Sequence, residues 1–97
     1  MTINEFKGTL NDQAPPKQIN LFLQSLWYDK KGDWEHAHNI AQEIHSKNGS
    51  WIHAYLHRKE GDISNASYWY HMADKPMPNA SLDTEWEDLV TFFTNKK

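Results

Sequence analysis

The chain contains no cysteine. That absence removes a disulfide framework, a thiolate nucleophile and every cysteine-bearing zinc site together. Apolar residues are scarce as well, at 38%, with a mean hydropathy of −0.88. No run approaches the ~18 consecutive apolar residues of a membrane-spanning helix. The opening residues, MTINEFKGTL, lack the charged-then-apolar pattern of an export signal. The cytoplasm is therefore the expected location, with no membrane partner. Basic residues do not predominate: ten Lys and Arg stand against thirteen Asp and Glu, a formal charge of −3. Nucleic-acid binding needs cationic surface to displace counterions, so no nucleic-acid partner is expected. There is no Gly-x-Ser-x-Gly elbow for a nucleophilic serine. The four glycines are scattered as turn residues rather than gathered into a phosphate-binding loop.

Aromatic rings and histidine are what the chain does have. Five Trp, four Tyr and four Phe make up 13% of 97 residues. Each ring buries about 150–250 Å², so one small domain spanning residues 1–97 can build its core from few, large side chains. Six histidines would make the net charge sensitive to mild acid.

Apolar spacing predicts helices and no strand. Residues 1–14 carry only Ile3, Phe6 and Leu10 as anchors and read as an arm with at most a helical turn. Pro15-Pro16 suits the start of a helix, and Ile19, Phe22, Leu23, Leu26 and Trp27 form a helical stripe after it. Lys31-Gly32-Asp33 closes that helix, glycine tolerating the left-handed cap and Asp33 capping the next. The second helix is expected from Trp34 to about His45, with a break at Asn48-Gly49. The third is expected from Ser50 to Glu60, and the fourth after Gly61-Asp62. Pro76 and Pro78 forbid continuation. A last helix over 81–95 carries Leu82, Trp86, Leu89, Val90 and Phe93 on one face, and Lys96-Lys97 belongs to a solvated end. The expected architecture is all-α, a compact bundle of about five helices. Two hairpins over residues 16–76 are followed by a C-terminal helix.

The two corners are spaced regularly. Gly32-Asp33 precedes Ala37, and Gly61-Asp62 precedes Ala66, at a constant offset of 29 residues. Helix, Gly-Asp turn and helix with Ala66, Tyr70, Ala73 and Pro76 resembles the second half of a tetratricopeptide unit. The weaker first copy has Ala37, Ala41 and Ile44. Ser25 and Ala54, each twelve residues before its alanine, take the place of the small residue in the first helix. The resemblance spans roughly residues 20–76, with a shorter period than the ~34 residues of that family. It implies a helical-repeat protein that binds a protein or peptide segment on its concave face. The run HAYLHRKEGDISNASYWY, His53 to Tyr70, also resembles a family of small bacterial proteins of unassigned function. That likeness supports the helices and implies no reaction.

Two sets of residues are candidates for chemistry. Trp51, Tyr55, Arg58 and Lys59 would line the concave face that the tetratricopeptide resemblance implies. Rings beside cationic heads suit an acidic or carboxylate-ended peptide. The competing reading makes Trp51 and Tyr55 core, with the last helix folded into the groove. The second set is His53, His57 and Glu60. His53 and His57 are four apart, so both imidazoles can face one divalent metal, and Glu60 lies on the same arc of helix. The alternative leaves His57 bonded to a neighbour, with His53 and Glu60 solvated. His36, His38, His45 and His71 read as surface or interfacial residues, because positions two apart do not face each other. Three functions remain open: a non-enzymatic interaction module with no cofactor, a small metal-dependent or acid-base enzyme at His53, His57 and Glu60, and a structural homodimer pairing through the last helix.

Overall fold

The architecture was obtained as a computed structural model and describes residues 1–95. The lysine pair at 96 and 97 lies outside the described residues. Six α-helices and one 3₁₀ turn follow in order: α1 Ile3–Gly8, the turn Thr9–Asn11, α2 Leu21–Lys30, α3 Trp34–Gln42, α4 Lys47–Glu60, α5 Ile63–Met72 and α6 Leu82–Thr94. No strand occurs among the described residues. None of their helices is long and apolar enough to cross a membrane. The Cα radius of gyration is 12.4 Å, close to the ~13 Å of a globular domain of about 100 residues.

Helices α2 and α3 pack as one hairpin and α4 and α5 as the next, with α3 against α4 between them. Both corners close in the same way. Gly32 and Gly61 have φ of 89° and 91°, the left-handed region open to glycine at little steric cost. The following aspartates donate their backbone N–H to the carbonyls of Tyr28 and His57, at 2.9 and 3.0 Å. Their side chains accept from the amides of His36 and Asn65. Small residues let the hairpin arms approach: Ser25, Ala37, Ala54 and Ala66 are all fully buried, and the Ser25 hydroxyl donates to the Ala37 carbonyl at 2.8 Å.

The described residues form six α-helices against the expected about five, because the N-terminal residues are not a loose arm. Thr2 and Glu5 cap each other reciprocally at the start of α1, a Thr-x-x-Glu capping box. Phe6 is fully buried, 6.0 Å from the Trp86 ring. Three boundaries also move. The first long helix begins at Leu21 rather than Pro16, because Asn20 accepts from the Leu23 amide at 2.8 Å and fixes the start there. Helix α3 stops at Gln42, short of His45. Asn48-Gly49 opens α4 instead of breaking the chain, because Ser46 caps the Gly49 amide. Gly49 is there for packing: a Cβ at this position would fall on the carbonyl oxygen and side chain of Ile44.

Helix α6 closes the molecule against α1, α2 and α4. Trp86, Leu89, Val90 and Phe93 are essentially fully buried with Leu26, Ile52 and Leu56. Each such side chain is worth about 1.5–3 kcal/mol when taken from water. The buried Trp86 indole donates to the Leu26 carbonyl at 3.1 Å, so its polar edge is satisfied.

Candidate metal centre

The packing of α3 on α4 brings three imidazoles together. His38 lies on α3, and His53 and His57 lie one turn apart on α4. One ligand atom from each lies within 4.8 Å of the other two. His53 Nε2 and His38 Nε2 are 2.9 Å apart, so one ring donates and the other accepts. The His53 and His57 rings stack at 4.8 Å, and His38 meets both nearly edge-on, at 4.6 and 5.1 Å.

Two tryptophans bracket the group. Trp34 stacks on His38 at 4.8 Å and is anchored by its own indole N–H, which donates to the Leu56 carbonyl at 2.8 Å. Trp69 of α5 stacks on His53 at 4.1 Å. The consequence is electrostatic. Burial, reinforced by the neighbouring His38 and His57, pushes the His53 imidazole down to about 4. Burial first, and then His57, lowers His38 as well. Desolvation disfavours the charged ring, so near neutral pH both present the uncharged imidazole that ligates metals.

Glu60 takes a different place from the one its spacing suggested. Its Oε1 lies 2.6 Å from His57 Nδ1, and among the described residues no group of close ligand atoms holds both His53 and Glu60. Of the expected set His53, His57 and Glu60, the structure brings His53 and His57 together with His38 and places Glu60 on the Nδ1 side of His57. A carboxylate on the far nitrogen of a histidine fixes the ring's orientation and leaves Nε2 for a ligand. Glu60 and Asp62 also form a second close group with His57, but both carboxylates are exposed. Spacing along one helix separates His38 from His36 and says nothing of a neighbouring helix. His36 does point elsewhere, stacking on Tyr28 at 3.6 Å, but the partners of His38 come from α4, and no local spacing announces a contact between hairpins.

The aromatic and cationic set goes elsewhere. Tyr55 is 2% exposed; its hydroxyl donates to Asp29 Oδ2 at 2.7 Å, and Lys59 Nζ donates to Asp29 Oδ1 at 2.7 Å. Burial, with the Asp29 charge behind it, pushes the Tyr55 phenol far above its ordinary value. Arg58 Nη1 donates to Glu85 Oε1 at 2.7 Å, and its Nη2 to the Ala80 carbonyl. The Trp51 indole reaches Glu85 Oε2 at 3.3 Å, with Lys75 Nζ 4.3 Å over its ring. Tyr70 completes this second cluster, donating to Glu85 at 2.7 Å, and burial raises its phenol also. Trp51, Tyr55, Arg58 and Lys59 thus each bond to a carboxylate, Asp29 of α2 or Glu85 of α6.

No protein-family model, curated protein or solved structure matches this chain. The geometry of the site carries the functional argument.

Proposed function

We propose that this protein binds a divalent transition metal, with zinc as its best-suited ion, through His38, His53 and His57. The observation that supports the reading is the convergence of three imidazoles within 4.8 Å. Zinc–nitrogen bonds of about 2.0–2.1 Å in a tetrahedron put ligand nitrogens about 3.3 Å apart. The His38 and His53 nitrogens, at 2.9 Å, need to separate by only a few tenths of an ångström. An all-imidazole set suits zinc, copper, iron or nickel, and disfavours magnesium and calcium, which take oxygen. Three protein ligands leave one tetrahedral position for water or a substrate atom, the pattern of catalytic rather than structural zinc. Glu60 positions His57, and a metal held here would polarise whatever occupies the fourth position.

The two hairpins are read as tetratricopeptide-like on their matched glycine-aspartate corners and close-packed small residues. A peptide-binding role gains less support, because the side chains assigned to the concave face are engaged internally.

The test is metal stoichiometry by elemental analysis after dialysis, together with the visible spectrum of the cobalt-substituted protein. One metal per chain and the intense bands of tetrahedral cobalt are expected, both lost in His38→Ala. Glu60→Gln should weaken zinc binding by about 10–100-fold. Sub-stoichiometric metal, or a His38→Ala protein that loads as the native one does, would refute the proposal.

A further inference from the structure

A cavity of about 370 Å³ lies beside the histidine cluster, where the C-terminal ends of α3 and α5 meet the first turn of α4. Small residues leave the space: Ala41 in the last turn of α3 and Ser50 in the first turn of α4. The wall is completed by Ile44, Trp69, Met72 and His53. His53 is 6% exposed, and burial pushes its imidazole down to about 4, so the ring is uncharged near neutral pH. Charges around the opening offset one another. The positive end of the α4 dipole is matched by the negative ends of α3 and α5. Lys47, on the rim, is largely exposed and lies 3.7 Å from Asp74. Among the described residues no buried charged group lines the cavity. An ion entering it would give up water and find no counter-ion.

We propose that this cavity binds a small uncharged molecule about the size of one aromatic ring, its apolar body against Trp69, Ile44 and Met72 and a hydroxyl at the Ser50 side. Volumes of about 300–1,000 Å³ with an apolar, aromatic lining and few polar groups are those of small-molecule sites. A single ring needs only about 150 Å³ of apolar space, which leaves room for a polar substituent. Methionine sulfur makes favourable contacts with ring edges, and Met72 stands at the mouth, 46% exposed. His53 and Trp69, stacked at 4.1 Å, belong to both this wall and the histidine cluster. Binding in the cavity nevertheless requires no metal and does not rest on the metal reading.

The experiment titrates the whole, chelator-treated protein with benzyl alcohol, benzoate and benzylammonium, three ring compounds that differ chiefly in charge. The Trp69 indole and Met72 methyl resonances report binding by NMR. Benzyl alcohol should saturate with a dissociation constant of about a millimolar, the affinity within reach of so few atoms. Benzoate and benzylammonium should each bind at least about tenfold more weakly, because neither finds a buried counter-ion. Ser50→Leu, which fills the cavity, and Met72→Trp, which plugs its exposed mouth, should each abolish the Trp69 shifts, with circular dichroism confirming that the helices remain. Absence of saturation by benzyl alcohol overturns the proposal. Equal or tighter binding of either ion does the same, as does unchanged binding in either plugged variant that stays folded. Because the titration excludes metal, its failure leaves the zinc reading standing, and its success does not depend on zinc uptake.

Discussion

Replacing Glu85 by alanine tests how the last helix is held. The Glu85 carboxylate is 3% exposed and accepts from Arg58, Tyr70 and Trp51 at 2.7, 2.7 and 3.3 Å. Alanine strips all three donors of their acceptor. It also leaves a guanidinium whose side chain is only 15% exposed without its counter-ion. Removing one partner of a buried ion pair costs about 3–5 kcal/mol, and a buried phenol left unsatisfied costs about 1–3 kcal/mol. These donors share one network, so the terms overlap rather than add. The expected loss is about 4 kcal/mol, a large part of the roughly 5–15 kcal/mol of a small domain. At about 4–8 °C per kcal/mol, the melting temperature should fall by at least ~15 °C. Glu85→Gln keeps the volume and one acceptor oxygen and should lose about 1.5–3 kcal/mol, the worth of a hydrogen bond to a charged group. The assay is urea unfolding followed by circular dichroism, run as a double-mutant cycle of Glu85→Gln with Tyr70→Phe. A coupling of ~1 kcal/mol or more is expected. Additive single mutants, with Glu85→Ala within about 1 kcal/mol of the native protein, would show that the carboxylate does not hold α6 and that the reasoning is wrong.

Two further perturbations have signs fixed by the structure. In metal-free protein kept in chelator, His53 holds its folded value near 4 against an ordinary 6.5, facing His38 and His57 with Glu60 behind. The unfolded chain takes up its proton as pH falls through ~6.5, while the folded chain does so only near pH 4. Stability is therefore complete above pH 6.5 and declines by up to about 3 kcal/mol between pH 6.5 and 4. His53→Gln should flatten that slope in urea titrations across the window, and an unchanged slope would count against the burial argument. Among the glycines, Gly49→Ala should cost about 1–3 kcal/mol by overpacking against Ile44. Gly61→Ala, which meets open space but sits at φ 91°, should cost about 1 kcal/mol from backbone strain alone. Equal losses in thermal melts would remove the distinction.

Local chemistry made the two corners legible. Glycine followed by aspartate states both the left-handed residue and the cap of the next helix, and the structure repeats the pair with matching hydrogen bonds. Ser81, with its acidic first turn, was equally explicit about α6. Asn48-Gly49 misled because turn propensity describes an isolated dipeptide. Here the Ser46 cap and the lack of room beside Ile44 outweigh it. Thr2 and Glu5 formed a readable capping box that the sparse apolar pattern around them obscured. The site was half legible. The spacing of His53 and His57 lies within one helix, but His38 joins them only through packing of α3 on α4, and Glu60 turns to the nitrogen that spacing alone does not distinguish.

Glu85 also bears on assembly. Helix α6 meets residues far behind it in the chain, whereas each hairpin closes over a short loop. A register slip of one residue along the bundle would carry the carboxylate away from Tyr70 and Arg58 and draw the Trp86 indole off the Leu26 carbonyl. The last helix thus acts as a keyed bolt, able to seat in a single alignment against the two hairpins.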